Sequence, residues 1–126
     1  MTQQTILYVE DNPENRLLVK RVLEAEGYKV IEADSGMAGL SKAVATRPDL
    51  VLMDINLPEI DGYELTRRLK RMRHLAGVPV VAMTANVMKG DREKTLAAGC
   101  DGYIQKPIDV DQLPIQIARF LQVKQP

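Results

Sequence analysis

The chain has 126 residues, 17 basic and 17 acidic side chains, one cysteine and no tryptophan. That length predicts a single domain over 1–126 with room for a real core. The charge balance excludes a global pull toward nucleic acid or a membrane surface, no stretch approaches the ~20 apolar residues of a membrane span, and the lone Cys100 excludes an intramolecular disulfide or a multi-cysteine metal site.

The first apolar, β-branched run, "TILYV" (5–9), reads as a strand that ends against the acidic pair of "EDN". The segment from Pro13 repeats at helical period through Leu18, Val19, Val22 and Leu23, and Gly27 stands where a left-handed cap is expected. "KVIEA" (29–33) alternates, the mark of an edge strand, and Gly36, Leu40, Ala43 and Val44 set the period of a second helix. "LVLMD" (50–54) is apolar on both faces and runs straight into Asp54. A third helix follows on Leu65, Leu69 and Met72. Its basic run "RRLKRMRH" (67–74) reads as a solvated outer face, with His74 at the helix end, where a cation suits the dipole. "VPVVAM" (78–83) is a fourth strand finishing with Thr84, a fourth helix closes at Gly99, and "GYIQK" (102–106) is the fifth strand. Cys100, following Ala97, Ala98 and Gly99, is read as a packing residue. The last helix carries Val110, Leu113, Ile117, Phe120 and Leu121 on one face. Either Asp109 or Asp111 can cap it, and Pro114, comfortable only in a first turn, favours the later start. "MTQQTILYV" lacks the basic start and long apolar run of a secretion signal, so a cytoplasmic location is expected.

Five alternations of strand and helix predict an α/β, flavodoxin-like doubly wound sheet: five parallel strands in the order 2-1-3-4-5, helices on both faces, and a functional crevice at the carboxyl ends of strands one and three. Glu10, Asp11 and Asp54 fall at those ends. Carboxylates so placed repel, and all stay ionised only around a cation. Oxygen donors without histidine or cysteine point to Mg2+, or Mn2+ in its place, rather than zinc. Mg2+ commonly completes its shell with phosphate oxygens, so a phosphoryl ligand is implied. The competing reading, in which the acidic pair only caps a helix begun by Asn12 and Pro13, leaves the other strand ends unexplained. Those ends deliver a hydroxyl, Thr84, and an ammonium, Lys106, to the same edge.

"VEDN", "PDLVLMDINLPEIDGYEL", "VPVVAMTAN" and "GYIQKPID", in this order and spacing, resemble the receiver domain of two-component response regulators, a CheY-like superfamily, over essentially the whole chain. The resemblance implies that Asp54 accepts a phosphoryl group from a phosphohistidine on a histidine kinase or phosphotransfer protein. It also implies that Mg2+ is held by Glu10 or Asp11, by Asp54 and by the backbone carbonyl of Asn56, while Lys106 and Thr84 contact the phosphoryl oxygens. The Lys106–Pro107 peptide is expected to be cis, and Pro58 and Gly62 to shape the loop after Asp54. Many receivers have two aspartates where this chain has Glu10 and Asp11, so Glu10, one methylene longer, is expected to reach the metal through water. Ala85 is small and should leave the site open. By the same resemblance Thr84 moves inward on phosphorylation and Tyr103 follows, so that helix four, strand five and helix five form the partner-binding face, with residues 88–93 and Tyr103 as its candidates.

The resemblance is to stand-alone regulators of the DivK type or of the chemotaxis type, with Met1 read as a native start. The alternative is a receiver excised from a hybrid histidine kinase or larger regulator. An Asp-nucleophile phosphohydrolase wants a second aspartate at position 56, which is Asn56, and a flavodoxin wants a hydroxyl-rich phosphate loop where this chain has the acidic "EDNPEN". Direct nucleic-acid binding is not expected, because the basic run lacks interleaved aromatics.

Overall fold

The structure is a computed structural model that describes residues 3–85 and 91–122. Its elements follow the expected alternation: β1 (Thr5–Val9), α1 (Pro13–Ala25), β2 (Lys29–Ala33), α2 (Gly36–Ala45), β3 (Leu50–Asp54), α3 (Gly62–Arg71), β4 (Val80–Thr84), α4 (Asp91–Ala97), β5 (Gly102–Gln105) and α5 (Leu113–Gln122). The strands form one parallel sheet in the order β2-β1-β3-β4-β5, the flavodoxin-like arrangement. β1, β3 and β4 are buried along almost their whole length, whereas β2 at the edge is only partly covered, as its alternation predicts.

Strand alternation sorts the core into two faces. Ile6, Tyr8, Leu50 and Leu52 pack with Val19 and Leu23 of α1 and Leu113 and Ile117 of α5. Leu7, Val9, Val51 and Met53 pack on the other side with Ala43 of α2 and Leu65 and Leu69 of α3. Because successive side chains point to opposite faces, Glu10 continues the row of Ile6 and Tyr8, and Asp54 continues the row of Leu50 and Leu52. Both carboxylates therefore emerge on the α1/α5 side of the sheet's carboxyl edge.

Some expectations need correction. Val44 and Val110 are exposed rather than core-facing, and Val110 precedes α5 altogether. α5 takes the later start, yet the carboxylate at its approach is that of Asp109, which accepts from the N–H groups of Asp111 and Gln112. β4 begins at Val80, because Pro79 has no N–H to give a ladder. His74 lies beyond the end of α3 in a short 3-10 turn, and its ring bonds the Ala43 carbonyl at 2.6 Å instead of sitting on the helix dipole. Gly27 and Gly99 do adopt the left-handed conformation, at φ 93° and 104°. Of the expected partner-contact segment 88–93, residues 88–90 lie outside the described residues.

Candidate functional site

Four strands deliver the side chains at the carboxyl edge: β1 leads into Glu10 and Asp11, β3 ends in Asp54, β4 in Thr84, and β5 leads into Lys106. α1 starts at Pro13, with Asn12 as its N-cap accepting from the Asn15 N–H at 3.0 Å, so capping is done without either acidic residue of the pair. The Arg16 guanidinium reaches back to the carbonyls of Glu10 and Asp11 at 2.9 and 3.1 Å and fixes the turn between β1 and α1. Glu10 is fully buried, Asp54 nearly so, and Asp11 is exposed. One ligand oxygen from each of the three lies within 4.8 Å of the others, an all-carboxylate donor set that fits a hard divalent cation.

Lys106 follows β5, where its backbone N–H bonds the Thr84 carbonyl at 2.8 Å. The peptide between Lys106 and Pro107 is cis. Its ammonium donates to Glu10 Oε1 at 2.7 Å and to Asp54 Oδ2 at 3.0 Å, both largely out of solvent. The second Asp54 oxygen accepts the Asn56 N–H at 2.9 Å. Thr84 is buried at the end of β4, where Met83 pairs in register with Asp54. Tyr103 sits on the face of the sheet opposite Asp54, half-buried against a cluster of Ile55, Ala82 and Cys100 with Tyr63.

The segment after Asp54 is pinned at both ends. The Gly62 N–H donates to the Ile55 carbonyl at 3.2 Å, and a β-carbon at Gly62 would come within 2.6 Å of Ile55 Cα, so only glycine permits this approach of two backbones. Midway, the Glu59 carboxylate accepts from the Gly36 N–H at the start of α2. Pro58 lies exposed between these contacts. Ala85 is exposed too. With Asn15, Leu18, Lys106, Pro107 and Ile108 it lines an open groove of about 500 Å³ beside the carboxylates.

The electrostatics follow from burial and crowding. Desolvation, reinforced by Asp54, holds the Glu10 carboxyl above its ordinary pKa against the opposing pull of Lys106. Burial alone would depress the Lys106 ammonium, but the hydrogen bonds and charges of Glu10 and Asp54 together outweigh it and raise its pKa. Burial, and then the neighbouring Glu10, push the Tyr8 hydroxyl far above the usual tyrosine value. Three carboxylates against Lys106 and the Arg16 guanidinium leave the site with an excess of negative charge.

Residues 6–118 match the model of the response regulator receiver domain. The chain belongs to that family. It is 43% identical to the polar-differentiation response regulator DivK of Brucella ovis over 118 residues, 94% of this chain and 96% of that one. Among solved structures it is similar to the chemotaxis response regulator CheY4 of Vibrio cholerae, with a TM-score of 0.90 and 26% identity over 94% of this chain and 99% of that one. It is also similar to the receiver domain of a sensor histidine kinase from Pseudomonas aeruginosa PAO1, with a TM-score of 0.87 and 38% identity over 95% and 98% of the two chains. That receiver was solved with a magnesium ion coordinated in its active-site cleft. The chain is thus a signalling receiver of the response-regulator class, and its acidic cluster matches the kind of site at which receivers hold a divalent cation.

Four contributors around this site were absent from the sequence reading: Tyr8, Asn15, Arg16 and Glu59. Tyr8 carried a signal, a polar tip in an apolar strand two residues before Glu10 and therefore on its face. The other three act through contacts that no local pattern announces.

Proposed function

We propose that this receiver is a stand-alone phosphoacceptor, one domain over 1–126, in which Asp54 takes a phosphoryl group from a phosphohistidine of a histidine kinase or phosphotransfer protein. The observation that carries the reading is the meeting of Lys106 with Asp54 at 3.0 Å inside a carboxylate cluster whose oxygens lie within 4.8 Å. In the transfer a bond forms between an Asp54 oxygen and phosphorus as the donor's P–N bond breaks, and the imidazole leaves with the electron pair. The chain is modified rather than turning over a separate substrate, so it is not an enzyme in the ordinary sense.

Asp11, Asp54, Glu10 and the Asn56 carbonyl are the groups that would hold Mg2+, Glu10 through water. The ion supplies charge neutralisation for the phosphoryl oxygens. Lys106 exchanges its bond to Asp54 for one to the incoming phosphoryl group, already oriented by Glu10, and the Thr84 hydroxyl donates to another phosphoryl oxygen. Movement of Thr84 toward that oxygen draws Tyr103 inward. The face of α4, β5 and α5 then changes shape for a downstream protein partner. Among the described residues no helix is long and apolar enough to cross a membrane, and a cytoplasmic site of action fits a two-component pathway.

A second reading, a receiver belonging to a hybrid histidine kinase, is favoured by the 38% identity to a receiver of that origin. Intact-protein mass spectrometry with acetyl phosphate, with and without Mg2+, tests the chemistry common to both. One phosphoryl adduct that requires Mg2+ and is lost in Asp54→Asn is expected. A folded chain that takes no adduct overturns the proposal.

A further inference from the structure

Glu10 is a buried carboxylate whose two oxygens have unequal surroundings. Oε1 faces three donors, the Lys106 ammonium at 2.7 Å, the Tyr8 hydroxyl at 3.2 Å and the Asn15 side-chain amide at 3.5 Å. Oε2 accepts from the Asn12 N–H among the described residues, at a long 3.4 Å. A carboxylate oxygen has about two lone-pair directions, so Oε1 is saturated and Oε2 is the oxygen with capacity left. Tyr8 is itself fully buried in the middle of β1, in register with Glu32 of β2 and Leu52 of β3. Its ring is packed into the core with Leu52, Val19 and Leu113, which fixes the position of its hydroxyl oxygen beside Glu10.

We infer that Tyr8 is a positioning residue for the cation site: the hydroxyl of its buried ring, assisted by Asn15, holds Glu10 Oε1 and thereby commits Oε2 to the cation or its water. The need for such a holder follows from this chain's own substitution of glutamate for the shorter aspartate. The extra rotatable bond gives Glu10 a wider choice of orientations, and a buried hydrogen bond removes that freedom before the cation arrives. Lys106 alone cannot do this, because it is shared with Asp54 and is the group expected to move to the phosphoryl oxygens. Tyr8 and Asn15 are the Oε1 partners that do not take part in phosphoryl transfer.

The inference rests on the proposed divalent-cation site, and the experiment separates the two. Mg2+ affinity is measured by calorimetric or NMR titration for the wild type, Tyr8→Phe, Asn15→Ala and, as a site control, Asp54→Asn. Tyr8→Phe keeps the ring and the packing and is expected to weaken Mg2+ about tenfold, the lower end of what losing an outer-shell partner costs. Asn15→Ala, on the half-exposed first turn of α1, should weaken it less, and the phosphoryl adduct formed at saturating Mg2+ should match the wild type in both. Placing Tyr8→Phe in a Glu10→Asp background should cost no further affinity, since the shorter carboxylate no longer reaches the hydroxyl. A mere packing role would lower the melting temperature and leave the Mg2+ affinity of the folded protein alone. Wild type that binds Mg2+ beside Tyr8→Phe that binds it equally well overturns the inference and spares the site. Wild type that binds no Mg2+ overturns the site and the inference with it.

Discussion

The two ends of the sheet use the same chemistry, aspartate with lysine, to different effect. At the amino end Asp49 and Asp101 each stand one residue before a strand, β3 and β5. Asp49 Oδ2 accepts the Thr5 N–H at 2.7 Å while its own N–H bonds the Thr5 carbonyl. Asp101 repeats the arrangement on Val80 and adds Lys70 at 2.5 Å. Each carboxylate there replaces a missing ladder partner at the start of a neighbouring strand, and one lysine answers one aspartate. At the carboxyl end three carboxylates converge on one lysine, and Glu10 and Asp54 are buried more deeply than Asp101. Residue type does not distinguish a structural from a functional corner. Convergence does: at the amino end the two aspartates serve separate strands, β1 and β4, whereas at the carboxyl end three carboxylates meet within 4.8 Å, a local negative excess that a cation and a phosphoryl group can use.

Removing the lysine from each end should expose that difference most strongly. Lys106→Met leaves two buried carboxylates facing each other, and in EDTA it should destabilise the fold by about 3–5 kcal/mol, the cost typical of orphaning buried charges. Excess Mg2+ should restore much of this loss, and the phosphoryl adduct should form far more slowly. Lys70→Met should cost far less, because Asp101 keeps its bond to the Val80 N–H, and Mg2+ should not change the outcome. Denaturant melts of both variants, with and without Mg2+, measure the contrast. Equal losses that ignore Mg2+ would collapse the comparison.

A smaller effect is expected at the structural end itself. Asp101→Ala removes the acceptor for the Val80 N–H and strands Lys70, and should cost about 1–3 kcal/mol. The yield of phosphoryl adduct at saturating Mg2+ should stay at the wild-type level, since Asp101 lies at the far end of the strands from Asp54. A loss of adduct in a variant that remains folded would mean that the two ends are coupled.

The sequence made the fold and the gathering of Glu10, Asp11, Asp54, Thr84 and Lys106 at one edge legible for a common reason: both depend on period. Alternation marks β2 as the edge, and once the strand order follows, every residue just past a strand has a known place. What escaped depends on long side chains reaching across that frame. Lys70 finds Asp101, Glu59 finds Gly36 and Arg47 finds the His74 carbonyl over separations that carry no periodic signal. Val44 and Val110 mislead in the opposite sense, apolar residues at the right spacing that lie in solvent, Val110 because α5 begins only at Leu113. The basic run at 67–74 was readable as an outer face, and among the described residues Arg67 and Arg68 pair with Glu64 at its surface.

The subtlest prediction concerns the sign of Glu10's own contribution. Desolvation and Asp54 raise its folded-state pKa above the ordinary carboxylate value, which is about 4.3. The fold therefore binds the Glu10 proton more tightly than the unfolded chain does. Stability from this group is fully present below the ordinary carboxylate pKa and is lost as pH rises through the folded-state pKa. A glutamine, which keeps the shape and never ionises, escapes that loss. In EDTA at pH 7.5 Glu10→Gln should melt a few degrees above the wild type, on the order of 1 kcal/mol. The gap should close as the pH is lowered toward the ordinary carboxylate range. Excess Mg2+ should reverse the order, because a ligand that binds only the folded state stabilises most the chain that binds it best. A glutamine variant that melts lower than the wild type in EDTA would mean that the bond from Lys106 outweighs the desolvation of Glu10. The carboxyl edge would then be a structural corner like the amino edge, with no need of a cation.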